Sequence, residues 1–102
     1  RAITDVRDLI EAFWLVVEKG EPGVTYNLSG ENVFLMRDLI TILKKLTNVS
    51  FEVVQDPKLV RSTDELIIYG DSSKIKEKTG WKQKITIEQT LNDMLDYWRR
   101  KL

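Results

Sequence analysis

The 102 residues carry 16 Lys+Arg against 16 Asp+Glu, with no Cys and no His. That balance gives nucleic acid no net attraction and leaves no Ser-His-Asp triad, cysteine nucleophile, disulfide or conventional zinc site. Chemistry falls to carboxylates, Lys, Arg, Tyr and hydroxyls. The length suits one domain over residues 1–102. No apolar run approaches the ~20 residues that span a bilayer, and the opening residues lack a signal-peptide apolar core, so the expectation is a cytoplasmic protein without nucleic-acid or membrane partners. The chain opens on Arg1 rather than Met, which points to a piece of something longer.

Thr4 reads as the cap of a first helix from about Asp5 to Lys19, with Val6, Leu9, Ile10, Phe13, Trp14, Val16 and Val17 at helical spacing. Gly20-Glu21-Pro22-Gly23 stops it, with Gly20 expected in the left-handed conformation. Val24–Leu28 is short, β-branched and aromatic, a predicted strand closed by Ser29-Gly30. Leu35, Met36, Leu39, Ile40, Leu43 and Leu46 stripe a second helix that Asn48 would end. Phe51–Val54 and Leu66–Tyr69 read as two more extended runs, separated by Asp56-Pro57 and a polar loop from Lys58 to Glu65. Asp71 would cap a short helix stopped by Thr79-Gly80. Thr86-Ile87-Glu88-Gln89 matches a capping box ahead of a helix reaching the last residue, with Ile87, Leu91, Met94, Leu95, Trp98 and Leu102 on one face. The class is α/β, with about four helices and two or three short strands. So few strands make a poor sheet by themselves.

Several spacings invite chemistry. Gly20 and Gly23 follow a helix rather than lie between a strand and a helix start, so they read as a turn and not a dinucleotide loop. Tyr97-x-x-x-Lys101 places a phenol and an ammonium on one helical face, but at a frayed helix end with no cofactor fold before it. Phe13, Trp14, Trp81 and Trp98 read as packing residues, and Arg99-Arg100-Lys101 as a solvated helix end. Arg61-Ser62-Thr63-Asp64-Glu65 concentrates an Arg fork suited to phosphate and carboxylates suited to ribose hydroxyls. By itself, that segment reads sooner as a solvated loop.

The order of five pieces is more specific. Arg1-Ala2-Ile3-Thr4-Asp5-Val6-Arg7-Asp8, Tyr26-Asn27-Leu28-Ser29-Gly30, Arg61-Ser62-Thr63-Asp64, Gly70-Asp71-Ser72-Ser73-Lys74 and Thr79-Gly80-Trp81-Lys82 together resemble the C-terminal part of extended short-chain dehydrogenases/reductases. Within them the chain is most similar to the branch of GDP-mannose 4,6-dehydratases and GDP-4-dehydro-6-deoxymannose reductases. The resemblance implies a helix-rich portion of an extended Rossmann-type enzyme, lacking the main parallel sheet. It implies no cofactor in this chain and NAD(P) in a parent whose absent Rossmann domain carries the catalytic residues. Arg1 and Arg61 fall on the family's diphosphate-contacting arginines, and Asp64 falls on its ribose-binding acid. Ala2 and Ile3 replace the usual Asp and aromatic after the first Arg, and Phe34 stands where relatives often cap the second helix with Ser or Thr. The Tyr-Asn segment is one residue shorter before its Gly than in many relatives. Ser62 replaces a Pro, which releases a fixed φ in the loop.

The resulting expectation is the substrate-binding region of a nucleotide-sugar dehydratase, reductase or epimerase, with a GDP-hexose as the expected substrate of its parent, and not catalytic alone. Its partners are the nucleotide sugar and the missing Rossmann domain, with homodimers or strand exchange where apolar faces lack a cover. The alternative is a stand-alone nucleotide-sugar-binding or protein-interaction module.

Overall fold

Helices form where the apolar spacing asks for them. The computed structural model describes residues 1–102 and contains α1 (Val6–Lys19), α2 (Met36–Leu46), α3 (Ser73–Thr79) and α4 (Ile87–Lys101), with one 3₁₀ turn at Pro57–Leu59. α1 packs on α3, and α2 packs on α4. α4 opens as its sequence requires, with Thr86 Oγ1 accepting from the Gln89 N–H at 3.2 Å. α2 opens with Asp38 Oδ2 accepting from the Leu35 N–H at 3.2 Å. It ends at Thr47 rather than Asn48, and Arg99 of α4 donates to the freed Leu46 carbonyl at 3.3 Å. α3 closes at Gly80 in the left-handed conformation.

Three boundaries differ from the sequence reading. The cap of α1 is Asp5, not Thr4: its Oδ1 accepts from the Arg7 N–H at 2.9 Å, and its two oxygens also accept from Arg7 Nε and Nη2, each at 2.9 Å. One carboxylate thus caps the backbone and pairs with a cation, which a threonine hydroxyl cannot do. Gly20 is extended, with φ −68°; the positive φ, +80°, falls on Gly23. There Pro22 and Gly23 occupy the central positions of a turn closed by Val24 N–H to Glu21 O at 3.2 Å, and the second central position takes positive φ. The cap of α3 is Ser72, not Asp71, which stands one residue before it and accepts at Oδ1 from the Ser73 N–H at 2.9 Å and from the Ser73 hydroxyl.

The larger correction concerns the strands. Val24–Leu28, Phe51–Val54 and Leu66–Tyr69 form no ladder, and the one bridge is antiparallel, between Ala2 and Val33. Strand-like composition supplies a half-buried pleat, but a ladder needs a neighbouring strand within reach. Val24–Leu28 instead lies along the helices, with Tyr26 and Leu28 packed on the core of Ala12, Ile75 and Trp81. Its Thr25 carbonyl accepts from the Lys74 side chain, Nζ to O at 3.1 Å.

The centre of the molecule is a polar pin inside an apolar seam. Asp8 is 2% exposed. Its carboxylate accepts from the Lys84 N–H at 3.2 Å and the Ile85 N–H at 3.0 Å, while its backbone carbonyl accepts from Trp81 Nε1 at 3.0 Å. The segment between α3 and α4 is thereby fixed to α1. A second polar cluster joins the start of α1 to α4: Asp5 Oδ2 accepts from Thr90 Oγ1 at 2.7 Å, and Arg7 reaches Asp93 at 2.7 Å. On the outer side, Lys84 pairs with Glu11 at 2.7 Å, which raises the ammonium pKa.

Burial is shallow. Of the four aromatics expected to pack, Trp81 is buried, but Phe13, Trp14 and Trp98 are more than half exposed because nothing in the chain lies over their faces. The radius of gyration is 16.9 Å, against about 13 Å for a compact domain of this length. The accessible surface is 8338 Å², against about 5,900 Å² for a compact monomer of this mass. The chain is a slab about 20 Å thick with its apolar faces outward.

Replacing Asp8 with Ala strands two backbone N–H groups in the seam, at a cost of about 2–4 kcal/mol. Urea unfolding followed by Trp fluorescence should show the midpoint fall with the slope unchanged. The bonds and charge of Arg7, then Thr90, hold the Asp5 carboxyl far below its usual pKa. A depressed carboxyl contributes stability that is complete above the unfolded pKa of about 3.9 and is lost as pH falls toward the folded one. Stability should therefore decline from about pH 4 downward, and Asp5→Asn should flatten that decline in acid titrations of the unfolding midpoint.

Candidate functional site

The two segments that carry the sequence-derived site residues, 1–3 and 56–70, have no α-helix or β-ladder of their own, only the Ala2–Val33 bridge and the Pro57–Leu59 turn. Arg1 is placed by a short antiparallel contact in which Phe34 N–H donates to Arg1 O and Arg1 N donates to Phe34 O, both at 2.8 Å. Gly30 lies directly behind. A Cβ there would stand 2.3 Å from the Ile3 carbonyl oxygen, so only glycine allows the two backbones to approach this closely.

The 56–70 segment is ordered locally at its start and tied to the rest of the molecule at its end. Asp56 Oδ1 accepts from the Lys58 N–H at 2.9 Å and starts the 3₁₀ turn. At the far end, Ser29 Oγ accepts from the Gly70 N–H at 3.1 Å, while Ser29 exchanges two bonds with Ser72 Oγ, at 2.7 and 3.0 Å. Between these points the segment touches Arg1, whose Nη1 donates to Glu65 O at 2.8 Å and whose Nη2 lies 3.3 Å from Asp64 Oδ1.

Arg1, Arg61 and Asp64 therefore share one place. They line two adjoining open clefts of about 600 and 620 Å³, a size that suits a small organic ligand. Gln55, Asp56, Leu59 and Val60 complete the first, and Ser62, Thr63, Glu65, Leu66 and Ile68 the second. The two arginines differ. Arg1 is paired as described, whereas Arg61 makes no hydrogen bond or ion pair. A guanidinium without a partner, facing an open cleft, offers a fork to an incoming anion.

The Glu65 carbonyl that holds Arg1 carries no signal in the sequence, since a backbone acceptor has no residue code. Leu59 and Val60 likewise read as loop residues, not lining. A smaller cleft of about 240 Å³ lies at the start of α4, and several of its polar groups are already engaged. Glu31 N–H donates to Gln83 Oε1 at 2.8 Å and the Lys84 N–H bonds Asp8, so it is a seam between segments. Tyr97 and Lys101 meet with the ammonium 5.6 Å from the ring centroid, a surface cation–aromatic contact. No set of His, Cys, Asp and Glu could hold a metal ion, and no helix is long and apolar enough to cross a membrane.

Residues 1–94 match the family described as GDP-mannose 4,6 dehydratase. The chain belongs to that family. Over all 102 residues it is 32% identical to the GDP-6-deoxy-D-mannose reductase of Pseudomonas aeruginosa, of which it covers 34%. It is 30% identical to a dTDP-glucose 4,6-dehydratase of Escherichia coli, with 91% of this chain aligned to 28% of that protein. The solved structure of RMD from Pseudomonas aeruginosa complexed with NADPH superposes on the whole chain with a TM-score of 0.92, at 31% identity over 33% of its length. The chain thus spans about a third of the relatives it matches. Its own residues do not fit a dinucleotide: Gly20 and Gly23 follow α1 and serve a turn, and no glycine-rich loop opens a helix.

Proposed function

We propose that this chain is the substrate-binding region of an NAD(P)-dependent nucleotide-sugar dehydratase, reductase or epimerase, and that the nucleotide end of a GDP-hexose lies in the clefts between Arg1 and the 56–70 segment. Arg61 and Arg1 hold the diphosphate, and Asp64 accepts from the ribose hydroxyls. The observation that carries this reading is the convergence of these three side chains, 63 positions apart in sequence between Arg1 and Asp64, on one ligand-sized opening. Family membership and the NADPH of the solved relative support the parent's chemistry. In that parent, hydride exchange and acid–base steps belong to residues outside this chain, whose contribution is to hold the substrate in register.

The slab geometry favours a region completed by further polypeptide over a self-sufficient module. Its surface exceeds that of a compact monomer by about 2,400 Å², and large apolar side chains such as Phe13, Trp14, Met94 and Trp98 are more than half exposed. A Rossmann-type domain would cover these faces in the parent. In its absence they are free to pair two copies.

Arg61→Ala in the full protein should weaken nucleotide-sugar binding by about 1.5–3 kcal/mol, measured by calorimetry; unchanged affinity would remove the diphosphate assignment. Light scattering on the isolated 102 residues should show mass above the monomer that falls on dilution. A monomer at every concentration would contradict the uncovered-face account.

A further inference from the structure

Arg1 and Arg61 face the same opening but are not equally available. Arg61 is uncommitted, whereas the Arg1 guanidinium spends one nitrogen on the Glu65 carbonyl and another on the Asp64 carboxylate. Each terminal nitrogen carries two N–H groups, so an anion that takes the Nη2 N–H now facing Asp64 displaces that carboxylate and leaves it beside the new negative charge. Such a juxtaposition is repulsive unless the carboxylate finds donors of its own.

We infer that Asp64 is a specificity-determining residue that selects nucleoside diphosphates against bare polyphosphates by exchanging partners with Arg1. This rests on the substrate-binding reading above. A ligand with both a diphosphate and a vicinal diol replaces both halves of the ion pair, with phosphate oxygens taking the guanidinium and ribose hydroxyls donating to the carboxylate. Inorganic pyrophosphate replaces only the first half. It breaks the pair and leaves Asp64 without a donor, facing an anion. The pair sits at the surface, with side chains 34% and 63% exposed, so its strength is in the range that a few good hydrogen bonds overcome. It acts as a filter and not as a block. Asp56 lines only the first cleft and accepts the Lys58 N–H, and Glu65 lines only the second, whereas Asp64 lines both and is the carboxylate paired with Arg1.

The test is a sign reversal in the full protein. Titrating inorganic pyrophosphate and a nucleoside diphosphate separately into wild type and Asp64→Ala should show pyrophosphate binding about two- to fivefold tighter in the variant. The nucleoside diphosphate should bind about tenfold weaker or worse, because the diol loses a charged acceptor. Asp64→Glu should restore the wild-type order of the two ligands. Pyrophosphate affinity that is unchanged, reduced or undetectable in Asp64→Ala overturns the exchange while leaving the cleft assignment standing. Failure of wild type to bind the nucleoside diphosphate removes the reading beneath it. Asp64 is exposed and caps no helix, so the variant should keep the wild-type unfolding midpoint.

Discussion

The arrangement of this slab turns on one buried carboxylate. Asp8 leaves α1 from its first turn and receives two consecutive backbone N–H groups from the segment that joins α3 to α4, while its own carbonyl receives the indole of Trp81. The buried apolar set is too small to impose that arrangement, since ten residues fall in the buried class and four of those are polar or charged. The directional bonds therefore decide which way the thin apolar layer packs, and burial of Trp81 against Ala12 and Ile75 follows from them.

The helices were legible because each carries its own punctuation. Thr86 and Gln89 at one end, Gly80 at another, and apolar spacing in between are local instructions that hold without knowledge of the rest of the fold. The strands were misread for a matching reason. Val24–Leu28 and Leu66–Tyr69 have the residue types of a pleated, half-covered surface, but pairing is a property of two segments, and neither finds a second one here. The aromatics of α1 and α4 went the same way. The periodicity identifies which face of a helix seeks cover, and Phe13, Trp14 and Trp98 show that it does not say whether the cover lies in the same chain.

At the site, the separation between legible and hidden falls on side chain against backbone. Arg1, Arg61 and Asp64 stand out by chemical type and by motif order. The groups that place them do not: the Glu65 and Phe34 carbonyls, the Ser29 and Ser72 hydroxyls and the Ile3 backbone depend on how loops cross. The carboxylates at Asp5, Asp56 and Asp71 fall between these cases. Each accepts from the backbone N–H two residues on, a short-range habit of the residue, and at Asp71 the Ser73 contacts also hold its pKa below the ordinary value.

The contact at Gly30 separates importance from proximity. Its missing side chain lets the stretch bearing Arg1 lie flush against the chain behind it, so the location of a cation in the opening is decided by a residue with nothing to offer a solute. Damage there would register in a binding assay as a poorer receptor, with every residue that touches the ligand intact. A map of loss-of-binding substitutions in this molecule is consequently a map of mechanical supports as much as of recognition.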